Sequence, residues 1–275
     1  MGRVTRRGQI TKFRTDGTVT KREDVLAGEE PLEIRVDGRS FTVTMRTPGD
    51  DFDLVAGFLV SEGIIWEPGQ LISMRYCAGV DDSGQQTFNV VDVQLRPGTT
   101  LPDTAMERHV YTSSSCGICG TASIEAVRKS SHFLVGDDDV RVPLSTLAAL
   151  PEQLRQQQKV FDRTGGVHAA GLFSVDGELL CLREDVGRHN AVDKVVGWAL
   201  RAGMLPLRGT VLQVSGRASF ELVQKAQLAG IPVLAAVSAP SSLSVELAQD
   251  AGMTLVGFSR GTSLNCYSFP ERIVA

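Results

Sequence analysis

No stretch of the 275-residue chain is long and apolar enough to cross a bilayer, which argues against a helical membrane span. The basic opening, MGRVTRRGQITKFRTDG, has no apolar segment behind it, so a secretory signal is not expected. Met1-Gly2 likewise lacks the rest of a myristoylation pattern. Positive charge is not in excess. A net formal charge of -4 argues against a general nucleic-acid binder but leaves room for a local anion pocket. Cysteine is sparse and odd in number, five in all, so a disulfide framework is not expected and a reducing cytoplasm is the expected location. No glycine-rich run ends in Gly-Lys-Ser/Thr, which argues against P-loop ATP hydrolysis, and no tandem repeat is visible. The remainder is ordinary for a globular protein, 42% hydrophobic and 22% charged, with length for one large domain or two smaller ones.

Two rhythms divide the chain. The polar opening to about Asp24 reads as frayed or as a strand leading in. In PLEIRVDGRSFTVTMRT, Leu32, Ile34 and Val36 alternate, then Phe41, Val43 and Met45, with Asp37-Gly38 between them. A β-hairpin follows. PGDDFDLVAGFLVSEGII predicts a helix capped by Asp50 or Asp51, with Phe52, Val55, Leu59 and Val60 on its apolar side and Gly63 at its end. Strands around LISMRYC and TFNVVDVQL, joined by DDSGQQ, precede a linker at RPGTTLPDTAM. These make a smaller α/β domain over residues 1–110.

Residues 111–275 form the larger domain. GLFSVDGELLCLRED reads as a second hairpin with Asp176-Gly177 in its turn, and RHNAVDKVVGWALRAG as a helix presenting Ala191, Val195, Trp198 and Ala199 on one face. TVLQVSG, IPVLAAVS and MTLVGFSRG then alternate as strands with the helices ASFELVQKAQLAG and SSLSVELAQDAG, the first closed by Gly230. That order predicts βαβ crossovers on a mixed, largely parallel sheet.

The stretch SSSCGICGTASIEAV sets Cys116 and Cys119 in a glycine-rich turn before a predicted helix. Unpaired helix N–H groups favour a thiolate there, and Gly117 and Gly120 leave the sulfurs uncovered. Four readings stay open on these residues alone. A structural zinc site lacks its second pair, although His168 could join the ligands. A redox pair, a sulfur-transfer thiol with a resolving partner, and an incidental bend remain. Cys181, in LLCLRE, reads as a small core side chain, and Cys266 as structural.

Taken in order, SSSCGICG, RTGGVHAAGLF, EDVGRHNAVDKVVG, SGRASFELVQKA and LVGFSRGTSLNCYS resemble the FdhD/NarQ formate dehydrogenase accessory sulfurtransferases. PLEIRVDG and FLVSEGII extend the likeness over nearly the whole chain. The resemblance implies a protein that takes sulfur from a cysteine desulfurase and passes it to the molybdenum bis(guanine dinucleotide) cofactor for formate dehydrogenase. By the same resemblance Cys116 carries the persulfide, Cys119 assists, the larger domain has a cytidine-deaminase-like fold, and the protein is a homodimer. Ala170 stands where a zinc deaminase has its glutamate, so deamination is not expected.

Several polar turns suit an anionic ligand. Arg163, Thr164 and Gly165 offer a guanidinium, a hydroxyl and amides ahead of His168, which can orient a ligand or simply bond to backbone. Arg188, His189 and Asn190 open a helix, where side chains and the helix end together favour an anion. Asp185 or Asp193 can accept a base N–H, or Asp193 and Lys194 can form no more than a solvated pair. Ser215, Gly216, Arg217 and Ser219 lie where a strand ends and a helix begins, the usual ligand edge of an open α/β sheet. Arg260, Gly261, Thr262 and Ser263 offer another phosphate contact, and the family resemblance extends that surface to Phe258 and Ser259. The residues alone imply an anionic ligand. The resemblance supplies the molybdenum cofactor, and a guanine nucleotide such as GDP fits the same groove. A cofactor-binding chaperone without thiol chemistry, or a zinc or redox nucleotide enzyme, are the alternatives.

Overall fold

The computed structural model describes residues 4–77, 79, 87–101 and 129–275. The cysteine pair Cys116/Cys119, its serines and the helix expected after it therefore lie outside the described residues, as does the whole DDSGQQ connection.

The chain opens with a two-stranded antiparallel ribbon, β1 (Thr5–Phe13) and β2 (Val19–Ala27). The expected hairpin follows as β3 (Glu30–Val36) and β4 (Arg39–Arg46). Its two-residue turn has positive φ at both Asp37 (50°) and Gly38 (78°), the geometry that matches strand twist. With β5 (Leu71–Tyr76) and β6 (Val90–Leu95) these strands form a sheet ordered β4-β3-β6-β5, parallel only between β3 and β6.

Helix α1 (Asp51–Ser61) follows β4 and ends as predicted. Gly63 takes φ 73°, and Ile64 N–H bonds back to the Leu59 carbonyl at 3.0 Å. The expected side-chain cap is not made. Asp50 is at the N-cap, but in a left-handed conformation with no capping bond, and Asp51 instead accepts two 3.0 Å bonds from the fully buried guanidinium of Arg46. A buried arginine needs a carboxylate more than a helix end does.

After the short strand β7 (Val142–Pro143), the second sheet is built from β8 (His168–Ser174), β9 (Leu179–Asp185), β10 (Thr210–Val214), β11 (Val233–Ala236), β12 (Thr254–Arg260) and β13 (Ser263–Ser268). Its order is β13-β12-β11-β10-β8-β9. It is mixed, but the expectation of a largely parallel sheet is corrected: only β10-β11-β12 run parallel, linked through α5 (Phe220–Leu228) and α6 (Ser242–Asp250). Short turns at Asp176-Gly177 and Gly261-Thr262 give antiparallel neighbours at the two edges, and β8 also runs against β10.

Both faces of this sheet are buried. On one, Ala170, Leu172, Leu212 and Leu234 join a core with α1, α4 (Arg188–Arg201) and α5. On the other, Ala169, Phe173, Val211 and Val233 meet Leu147, Leu150 and Leu154 of α2 (Leu144–Gln157), a helix that the sequence reading did not identify. The short helix α3 (Lys159–Thr164) leads into β8. The first core is continuous with Leu32, Ile34, Val91 and Val93 of the N-terminal sheet, because α1 packs along α4. Fully burying each such Leu or Val contributes about 1.5–3 kcal/mol before entropy is counted. Among the described residues no helix is long and apolar enough to cross a membrane.

Candidate functional site

The carboxyl ends of β10, β11 and β12 point to one sheet edge, and their turns are stitched together there. Ser215 N–H bonds to the Ala169 carbonyl, and its hydroxyl accepts from Ala169 N–H at 2.9 Å. Ser238 N–H reaches the Gly216 carbonyl, Ser241 N–H the Ala218 carbonyl, and Phe258 N–H the Ser238 carbonyl. The guanidinium of Arg260 donates to the Val237 carbonyl at 3.1 Å. Three turns from separate stretches of the chain thus form one surface.

The antiparallel strands add to it. β8 starts where β10 ends, so His168 lies at the same edge, paired in register with Asp185 at the end of β9. A Cβ on Gly216 would sit 3.5 Å from His168 Nδ1, so the bare backbone of this turn lies directly against the imidazole. Burial lowers the His168 pKa, and the nearby Arg188 and His189 lower it further. The imidazole is neutral at pH 7.

The first turns of α4 and α5 converge beside this turn. His189, whose side chain is 7% exposed, brings Nε2 to 3.4 Å from Ser219 Oγ and 3.7 Å from Glu221 Oε2. Its Nδ1 and the Nε of Arg188 are buried without a hydrogen-bond partner. Two helix N-termini facing each other, with Arg188 alongside and Arg217 exposed nearby, concentrate positive potential. Glu221 is the carboxylate that answers it. The His189 ring 3.7 Å away holds its pKa down to about 2. The sequence reading missed Glu221, although an acidic residue two places after the helix-capping Ser219 is a recognisable first-turn signal.

Other predicted residues have different partners. Asn190 donates to the Met45 carbonyl at 2.7 Å and to Asp185 at 3.1 Å, which ties α4 to β4. Asp185 is wholly buried, 2.7 Å from Lys194 Nζ, and also accepts from Thr47 N–H and Gly187 N–H. Burial pushes its pKa up and Lys194 opposes the shift. Asp193 accepts from Ser61 at 2.6 Å and from Lys225 at 2.8 Å. The solvated Asp193–Lys194 pair is therefore corrected: both are buried, and each pairs with a different residue. Neighbours in a helix point about 100° apart, which separates their partners.

Ser259 is also turned away from the groove. It is fully buried and donates to the Leu147 carbonyl of α2 at 3.3 Å. Phe258 before it takes φ 53° and is 41% exposed, while Arg260, Gly261, Thr262 and Ser263 are exposed at the hairpin tip. Arg163, Thr164 and Gly165 form the carboxyl end of α3, whose partial charge is negative. Arg163 reaches Thr5, and Thr164 donates to the Val160 carbonyl.

Cys116 and Cys119 fall outside the described residues, but the chain re-enters at Lys129. Its ammonium donates to the Ser61 carbonyl at 2.8 Å and pairs with Glu62 at 2.9 Å. Ser131 donates to the Gln227 carbonyl at 3.0 Å, which places this re-entry point beside α5. Two described cysteines are poor nucleophiles: burial pushes the Cys181 thiol up to about 12 and also raises that of Cys266.

The model of the FdhD/NarQ family matches residues 27–274. A protein named sulfur carrier protein FdhD from Streptomyces avermitilis is 60% identical, covering 99% of this chain and 97% of its own. Its namesake in Mycobacterium tuberculosis is 54% identical, covering 99% and 100%. A crystal structure described as a formate dehydrogenase accessory protein, from Desulfotalea psychrophila, superposes with a TM-score of 0.75 at 25% identity, covering 99% of this chain and all of that one.

Proposed function

The chain belongs to the FdhD/NarQ family, and on that premise we propose that it is a sulfurtransferase that carries sulfur on Cys116 to a molybdenum cofactor held at the sheet edge. The observation that carries the binding half is the meeting of the α4 and α5 N-termini at His189, Ser219 and Arg188, with two buried ring and guanidinium nitrogens unpartnered. Such a surface favours phosphate. The exposed Arg217 and Arg260 flank it, and the bare backbone of Gly216 packs against His168 beside it.

Arg188, Arg217, Arg260 and the amides of the three turns would hold the pyrophosphates of the molybdenum bis(guanine dinucleotide) cofactor, the substrate in this reading. A guanine nucleotide such as GDP would occupy half of the groove. Cys116 thiolate attacks the outer sulfur of a persulfide on the donor, a cysteine desulfurase. The donor's S–S bond breaks, its thiolate leaves, and Cys116 holds the sulfur. Attack by Cys119 on the Cys116 sulfur then expels hydrosulfide towards the cofactor and leaves a Cys116–Cys119 disulfide for a cellular dithiol to reduce. The sulfurated cofactor passes to formate dehydrogenase, and these steps take place in the cytoplasm.

Complementation tests this reading. A strain lacking its own FdhD-type protein regains formate dehydrogenase activity with the wild-type chain and not with Cys116→Ala. Activity restored in full by a variant without either thiol would mark the protein as a binding chaperone only.

A further inference from the structure

An ionised carboxylate is an unexpected component of an anion site, and Glu221 is one. It stands in the first turn of α5, just after the N-cap Ser219, and its side chain is 18% exposed. The partial charge of a helix end favours an acidic residue there, but that effect asks only for a solvated side chain. Glu221 is instead folded in against α4, with Oε2 3.7 Å from His189 Nε2, and its depressed pKa keeps it charged at neutral pH. It repels any phosphate held beside it, so a donor on the ligand is needed to offset that repulsion.

The two carboxylates that the sequence offers as acceptors for a ligand are occupied. Asp185 is wholly buried and taken up by Lys194 and by the amides of Thr47 and Gly187. Asp193 is buried against Ser61 and Lys225. Glu221 keeps an open side. An ionised carboxylate has about four lone-pair sites, so its contact with His189 leaves acceptor capacity.

Position selects the donor. Ser219 lies two residues before Glu221, so a phosphate seated on the α5 end is within about one helical turn, or about 5.4 Å, of the carboxylate. In a nucleoside diphosphate the donors nearest to phosphate are the ribose hydroxyls, and the N–H groups of the base lie beyond them. Two vicinal hydroxyls match the two oxygens of one carboxylate, and dinucleotide-binding folds use an acidic side chain on the ribose in the same way. Such bonds are charge-assisted and among the stronger kinds.

We propose that Glu221 accepts hydrogen bonds from the 2′- and 3′-hydroxyls of the nucleotide's ribose, and so makes the groove select ribonucleotides over 2′-deoxyribonucleotides. His189 is the positioning residue that holds the carboxylate in place. This selection rests on the nucleotide-binding half of the function proposed above and is independent of the chemistry at Cys116.

The test is titration calorimetry of the full chain with GDP and with 2′-deoxy-GDP, for wild type, Glu221→Gln and Glu221→Ala. Wild type should bind GDP about tenfold or more tightly than 2′-deoxy-GDP, as expected when a hydrogen bond to a charged group is lost. Glu221→Ala should bind the two alike, because neither ribose then has its acceptor. Glu221→Gln keeps one amide oxygen and should retain part of the preference. The ratio of the two affinities is insensitive to a loss of folded protein, so a destabilised variant still reports. Equal affinity of wild type for both nucleotides, or a preference undiminished in Glu221→Ala, would overturn the proposal and leave the nucleotide site standing. A wild type that binds neither nucleotide would overturn the site and this selection together.

Discussion

Gly57 of α1 and Gly197 of α4 meet backbone to backbone. A Cβ on Gly57 would lie 1.8 Å from the Asp193 carbonyl oxygen, and one on Gly197 would lie 1.8 Å from that of Asp53. Neither obstacle is a flexible side chain, so a methyl group must drive the helices apart and loosen the join between the two sheets. Gly197→Ala is expected to cost about 3 kcal/mol, at the upper end of overpacking penalties, visible as a fall in urea midpoint. Because α4 presents Arg188 and His189, the variant should also bind GDP more weakly.

The buried pair Asp185–Lys194 yields a second prediction. Lys194 Nζ also donates to the Thr47 carbonyl, so it joins α4 to the loop after β4. Lys194→Met leaves a carboxylate buried without its cation, and a loss of about 3–5 kcal/mol in unfolding free energy is expected. Asp185→Asn added to it should recover part of that loss, since the uncompensated charge is then gone. Urea denaturation of the two variants separates the effects.

The depressed pKa of Glu221 sets a pH window. Its folded value of about 2 lies below the ordinary glutamate value of 4.5, so ionised Glu221 contributes stability that is complete above 4.5 and lost as pH falls towards 2. Denaturation of wild type and Glu221→Gln at several pH values should show the largest gap above pH 4.5. The gap should close near pH 2. A gap of constant size would contradict the His189–Glu221 assignment.

Nucleotide binding probes the groove. Arg217→Ala and Arg260→Ala should each weaken GDP binding about tenfold or more, given about 1.5–3 kcal/mol for a hydrogen bond to a charged group. Asn190 should behave differently, because its amide is tied to Met45 and Asp185. Asn190→Ala should lower the urea midpoint more than it changes nucleotide affinity measured by titration calorimetry.

The sequence made the turns and the helix order of this fold legible. Asp37-Gly38 and Asp176-Gly177 announce their hairpins, because few residues other than Gly, Asp and Asn tolerate positive φ, and Gly177 takes φ 84°. The serine- and arginine-bearing turns after β10 and β12 were also readable, since strand ends followed by helix starts or tight turns mark a ligand edge. Long-range partners were not. Nothing local says that Arg46 claims Asp51 and thereby removes a cap, or that Ser259 turns inward to Leu147. The opening reads in sequence only as frayed or as a single leading strand, for a related reason: with mostly exposed residues, β1 and β2 lack the apolar alternation that would announce a paired ribbon. Glu221 escaped because its significance depends on His189, which is distant in sequence.

The sulfur-carrier account is tested most directly by intact and peptide mass spectrometry after the chain is incubated with a cysteine desulfurase and cysteine. One added sulfur atom on the peptide containing Cys116, removed by a mild reductant and absent from Cys116→Ala, is the result the account predicts. An equal sulfur load in Cys116→Ala, or no added sulfur in the wild type, would contradict it.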